Sequence, residues 1–241
     1  MSTKFIPHLF VVFLIYIFLL LHISFILSEM DPVIISSSII ILLFSVVLHE
    51  VMHGWVALKF GDHTAERAGR LTLNPIPHID PIGTILLPGL MIFLSFFSGS
   101  LGFLIGWAKA VPVNPLNFTD LKKGEILVSL AGVFANFGLA IIAAILFHLF
   151  ADLNIVAAKI LQFTVTINLT LGVFNLLPIP PLDGSKALIA VLPYTLAREV
   201  ERLSNYGFFI IILLMYLGII GPLLSFVLTP LHMLLGVPTR F

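Results

Sequence analysis

The chain has 241 residues, 59% of them hydrophobic and only 10% charged, whereas soluble globular domains carry charge on about a quarter of their residues. Its 12 basic residues balance 12 acidic ones, which leaves no electrostatic footprint for nucleic acid. Cysteine is absent, which excludes disulfides, thiolate ligands and a cysteine nucleophile, so any metal must use His, Asp or Glu.

About 20 consecutive apolar residues cross a bilayer core, and the chain supplies several such runs. The run 5–27 follows a basic start, as in a signal peptide, but it is too long and lacks a small-residue cleavage pattern, so a retained first span is expected. A second span is expected at 33–58. The stretch 82–107 is apolar but broken by Pro88, Gly89, Gly99, Gly102 and Gly106. Further spans are expected at 126–150 and 155–177. The last apolar run, 208–235, has Gly221-Pro222 in its middle and suits one kinked helix or two short ones. The expected fold is an all-α polytopic membrane protein of about six transmembrane helices. One integral-membrane domain is expected over 1–241, with a catalytic core at about 33–186, because no polar stretch is long enough to fold as a separate module.

Loop charge bears on the interrupted stretch. Nine of the 12 basic residues fall in three segments: Lys59, Arg67 and Arg70; Lys109, Lys122 and Lys123; Lys186, Arg198 and Arg202. The connections around Glu29/Asp31 and Asp152 carry acids and no basic residue. A single crossing by 82–107 would put the basic segments on opposite faces, whereas a re-entrant segment puts all three on the cytoplasmic side. The re-entrant topology is therefore expected. It also places the C-terminal end of the second span on the cytoplasmic side, and its backbone must pair with itself or with protein neighbours.

Near that end stands LHEVMHG, with His49, Glu50 and His53 in the pattern H-E-x-x-H. Helical residues four apart share a face, so both imidazoles can reach one ion, with Glu50 directed toward water bound to it. His49 lies nine residues before Leu58, about 13 Å along a helix. Placing an ionisable side chain in a transmembrane helix costs at least ~2.5 kcal/mol near its centre and usually marks function. A catalytic zinc takes three protein ligands. The third candidate is Asp183 in NLLPIPPLDGS, where three prolines forbid a regular helix; read alone, the same segment equally suits an Asp-Gly turn.

Three pieces together, His49-Glu50-x-x-His53, NPIPHIDPIGT at 74–84 and NLLPIPPLDG at 175–184, resemble the site-2 protease family of intramembrane zinc metalloproteases. The chain looks like its minimal form, without PDZ or CBS domain. The resemblance implies one zinc per chain held by His49, His53 and Asp183, with Glu50 as catalytic base. It also implies that Asn175 positions substrate or stabilises the oxyanion, and that residues 132–136 belong to a core helix. It further implies a re-entrant β-like segment between the second and third core spans. The substrate would be a membrane protein or peptide cut within or beside the bilayer, a regulatory partner being open. The sequence departs from many relatives in AGVFAN at 131–136 and LDGS at 182–185, and neither change removes a ligand.

His78 and Asp80 suit either support of the metal site or turn formation in a proline-rich loop. His8, His22, His63, His148 and His232 have no partner at ligand spacing. The rival class is a metal or proton transporter, since intramembrane His, Asp and Glu also mark ion pathways, although the paired repeats common in transporters are not visible. A scaffold with a degenerate site is disfavoured by the intact ligands and Glu50.

Overall fold

The computed structural model describes residues 32–86, 89–90, 93–94 and 108–239. The expected span at 5–27 and most of 82–107 lie outside them. Helix α1, Pro32–Lys59, has 28 residues, about 42 Å at 1.5 Å per residue and so longer than a ~30 Å hydrocarbon core. Apart from four serines, its first seventeen residues are apolar.

Helix α2, Thr64–Arg67, a 3-10 turn at Ile76–His78 and a π-helical turn at Pro81–Leu86 follow. A second 3-10 turn, Pro115–Asn117, leads into helix α3, Leu121–Phe150. This helix begins ahead of the apolar run because the Asp120 side chain accepts the Lys123 N–H and caps it. After a short turn, Asn154 accepts the N–H groups of Val156 and Ala157 and starts helix α4, Ile155–Leu176. A connection this short makes α3 and α4 antiparallel neighbours, and α1 packs against both.

The centre of the bundle is α4. Phe163, Val165, Ile167, Leu169, Leu171 and Phe174 are buried around its circumference. Its threonines are satisfied locally, the hydroxyls of Thr164, Thr166 and Thr170 each donating to the carbonyl four residues back. Opposite it, α3 presents Ala140, Ala143 and Ala144, small buried residues that let helices in a membrane approach closely.

Helices α5, Asp183–Val191, and α6, Tyr194–Leu203, are short. They lead to α7, Gly207–Tyr216, and α8, Ile220–Leu235. These last two meet at 82°, so the run expected as one kinked helix or two short ones is two helices. The break falls at residues 217–219, where Gly218 takes a φ of +70°, and not at Gly221-Pro222. Pro222 sits in the first turn of α8, where a missing N–H leaves no helical bond unmade. Three described helices, α1, α3 and α4, are long and apolar enough to cross a membrane, or four if the bent pair is one span.

No strand occurs among the described residues. The two ends of the interrupted segment nonetheless meet, through an antiparallel bridge between Ile79 and Ala108 and a hydrogen bond of 2.8 Å from Lys109 N–H to the His78 carbonyl. The loop leaving α1 is tied to the chain that follows this neck by Asp62, which is buried. Its carboxylate accepts from the N–H and hydroxyl of Thr64, from Asn117 Nδ2 at 2.8 Å and from Asn114 N–H at 2.7 Å.

Burial alone would raise the Asp62 pKa, but these hydrogen bonds, that of Asn114 foremost, outweigh it and hold the carboxyl below its ordinary range. A depressed folded-state pKa stabilises the fold above the unfolded value and is lost as pH falls through the folded one. In detergent, wild-type melting temperature should therefore fall on acidification below about pH 4. Asp62→Asn can set an amide donor against Asn114 N–H. It should cost about 1–3 kcal/mol at neutral pH and flatten that acid limb; melting curves coinciding with wild type at both pH values would refute the assignment.

Candidate metal centre

Four residues apart on α1, His49 and His53 turn the same face toward the start of α5, which brings up Asp183. His49 Nε2 and His53 Nε2 lie 3.0 Å apart, and each is 3.1 Å from Asp183 Oδ2. All three residues are buried. Asp183 arrives there because the prolines at 178, 180 and 181 end α4 and turn the chain before α5 begins. The Asp183 backbone thus belongs to a helix start, where the sequence alone equally allowed an Asp-Gly turn in a loop.

The far side of each ring fixes its proton. His49 Nδ1 is 2.6 Å from Asn136 Oδ1, and His53 Nδ1 is 2.6 Å from the Val128 carbonyl. Both partners accept, so each Nδ1 carries the hydrogen and each Nε2 presents a lone pair. The Asn136 amide has its orientation set by its own donors, Nδ2 giving to Asn168 Oδ1 at 2.9 Å and to the Ser45 carbonyl. Asn168 Nδ2 in turn donates to Ser45 Oγ and the Thr164 carbonyl. A chain of amides across α1, α3 and α4 thus holds the His49 ring.

Three ligand atoms that face one another at 3.0–3.1 Å with their lone pairs inward are stabilised by a cation among them. A tetrahedral zinc with bonds of about 2.0–2.1 Å spaces its ligands about 3.3 Å apart. Both the spacing and the donor set, two imidazoles and a carboxylate, fit that ion. Asp183 is further held by Lys186, whose Nζ donates to Oδ1 at 2.7 Å and leaves Oδ2 facing the two imidazoles. Beside the ligands, Glu50 is buried and its Oε2 accepts the Val111 N–H at 3.0 Å.

Asn175 is buried at the end of α4, its Nδ2 donating to the Leu171 carbonyl at 3.0 Å. Among the described residues its Oδ1 has no partner. As oriented it offers an acceptor, and donating to an oxyanion would require the amide to turn over. His78 and Asp80 make turn contacts: His78 Nε2 donates to the Thr72 carbonyl, and Asp80 Oδ1 accepts from the N–H groups of Ile82 and Gly83. His63 pairs with Glu66, and His148 and His232 bond backbone carbonyls.

The supporting residues were readable only in part. Asn136 and Asn168 are amides inside apolar runs, which by itself signals a polar contact between helices, and Lys186 stands one turn from Asp183. The Val128 carbonyl and the Val111 N–H are backbone groups and leave no trace in side-chain identity.

Apolar helices able to span a bilayer, enclosing a His-Glu-x-x-His pair and an aspartate, define a membrane metallopeptidase. A model of peptidase family M50 matches residues 150–217. YwhC of Bacillus subtilis, named as a zinc metalloprotease, is 37% identical over 202 residues, 80% of this chain and 84% of YwhC. Rip2 of Mycolicibacterium smegmatis, also so named, is 37% identical over 174 residues, 72% of this chain and 64% of Rip2. MJ0392 of Methanocaldococcus jannaschii, another zinc metalloprotease by name, is 29% identical over 227 residues, 90% of this chain and 55% of its own. No solved structure matches. The chain belongs to peptidase family M50, the site-2 proteases, and is an integral-membrane zinc metallopeptidase.

A side chain at Gly132 of α3 would collide with the site, since its Cβ would lie 2.5–2.6 Å from the ring atoms of His49. Gly132→Ala should weaken zinc binding by roughly 10–100-fold, the usual effect of disturbing a ligand's support. Gly138→Ala, with nothing within 4 Å of the added carbon, should leave it unchanged. Zinc retention against a graded chelator reads both, and equal retention in the two variants would contradict the packing described.

Proposed function

We propose that this metallopeptidase is an intramembrane endopeptidase that hydrolyses peptide bonds in or near the transmembrane segments of membrane proteins, as in regulated intramembrane proteolysis. The observation that carries the reading is a buried triangle of His49, His53 and Asp183 with Glu50 beside it, on a helix apolar enough to span the bilayer. In this reading the three residues hold one zinc per chain, and 1–241 acts as a single domain with its core at about 33–186.

Bound zinc supplies Lewis acidity, which activates water near neutral pH and polarises the scissile carbonyl. Glu50 accepts the proton of the attacking water and passes it to the leaving amide nitrogen. Asn175, with a free acceptor at Oδ1, binds a substrate N–H, or after an amide turn donates to the oxyanion. Burial of all five residues keeps bulk water from the reacting groups. The substrate segment must unwind first, because a helix occupies its carbonyls in its own hydrogen bonds.

The site faces the cytoplasmic side in this proposal. Loop charge supports that orientation, and the pairing of Ile79 with Ala108 supports entry and exit of segment 80–107 on one side of the bilayer. An added substrate strand along the edge of that segment would present an extended peptide to Glu50.

Glu50→Gln keeps size and shape but cannot take a proton. It should retain zinc at the wild-type level and lose cleavage of a model transmembrane peptide by at least about 10²–10⁴-fold. Full proteolysis by this variant would sink the mechanism, and flux of metal or protons across sealed vesicles without cleavage would restore the transporter reading.

A further inference from the structure

Arg70 lies in the loop after α2, is buried, and has no part in metal binding. Its Nη1 donates to the carbonyl of Pro77 and, at 3.5 Å, to that of Lys109. Those carbonyls belong to the two chains that enter and leave segment 80–107. The same two chains are joined by the Lys109 N–H to His78 carbonyl bond and by the bridge from Ile79 to Ala108. Two residues beyond Lys109, Val111 gives its N–H to Glu50 Oε2 at 3.0 Å. A continuous path of named contacts therefore runs from a buried guanidinium to the carboxylate beside the metal ligands.

We propose that Arg70 is a positioning residue for the reaction: by clamping Pro77 and Lys109 together it sets the Val111 N–H that aims Glu50. This rests on Glu50 acting as the base. Two observations separate the idea from a plain structural tie. Neutral donors would suffice to join two carbonyls, yet this site buries a permanent charge; burial lowers the guanidinium pKa, and Glu50 is the carboxylate that acts against that lowering without cancelling it. Both bonds come from Nη1, whose two hydrogens the guanidinium holds in a rigid plane, which suits bridging acceptors on two chains. His78, packed at the same neck, has its pKa lowered mainly by burial, so a neutral ring stands beside Arg70. Misaiming a catalytic group by about 1 Å can cost on the order of a hundredfold in rate, so a small shift at Lys109 is enough to be read in turnover.

The test compares wild type, Arg70→Gln and Arg70→Lys in detergent. It reads kcat and KM on one model transmembrane peptide, zinc content, and hydrogen exchange of residues 108–114. Arg70→Gln should lower kcat about tenfold or more while KM stays within about twofold, keep its zinc, and raise exchange in 108–114. Arg70→Lys, which keeps the charge but not the fork, should fall between Arg70→Gln and wild type. Unchanged kcat in Arg70→Gln overturns the inference, as does a kcat loss that only tracks loss of zinc. If Arg70→Gln does not fold, Arg70→Lys decides by the same readings. If wild type itself never cleaves the peptide, the endopeptidase reading fails separately, and unchanged exchange in 108–114 would then overturn the clamp.

Discussion

Two imidazole nitrogens and a carboxylate oxygen, each aimed at the others across 3.0–3.1 Å in a buried space, form an arrangement that a cation among them makes favourable. Much of the bundle around them maintains that convergence. Helix α1 supplies both histidines from one face, α3 leaves room for the His49 ring by having no side chain at Gly132, and the proline-rich turn after α4 delivers Asp183. The amide chain through Asn136 and Asn168 fixes one ring, the Val128 carbonyl fixes the other, and Lys186 occupies the carboxylate oxygen turned away from them. Each of these contacts gives a buried polar group a partner within the protein.

The membrane explains why so much polar machinery is needed for so few ligands. In a soluble helix a histidine ring can take its second hydrogen bond from water, but in an apolar bundle every N–H and carbonyl must find a protein partner. The same constraint acts at the neck of segment 80–107, where Arg70 donates to the Lys109 carbonyl, the Lys109 N–H to the His78 carbonyl and the His78 ring to the Thr72 carbonyl, and in the Asp62 loop, where one carboxylate accepts from two residues of another stretch of chain. Those two ties hold the chain whose Val111 N–H reaches Glu50, so the placing of that carboxylate involves residues far from it in sequence.

The gathering of His49, His53 and Asp183 was legible because helical spacing dictates which side chains share a face and because charge inside an apolar run has few uses. The spans that became α1, α3 and α4 were legible for the same compositional reason. Less readable were features decided by a single backbone conformation or by partners distant in the chain. The break before α8 follows the positive φ of Gly218 and not the more conspicuous Gly221-Pro222 pair, whose proline suits a helix start. The bond from Asn136 to His49 joins residues 87 positions apart, and no local pattern specifies such a pairing. Asn175 was expected to position substrate or stabilise the oxyanion; its donor is engaged by Leu171, and among the described residues its acceptor is the atom without a partner.

The most direct measurement is X-ray absorption at the zinc edge on the purified full chain. The account expects bound zinc whose scattering contains two imidazole rings and light oxygen ligands at about 2.0–2.2 Å, with one imidazole lost in His53→Ala. Zinc without imidazole scattering, or carefully prepared protein with no zinc, would contradict the centre described and with it the chemistry assigned to Glu50.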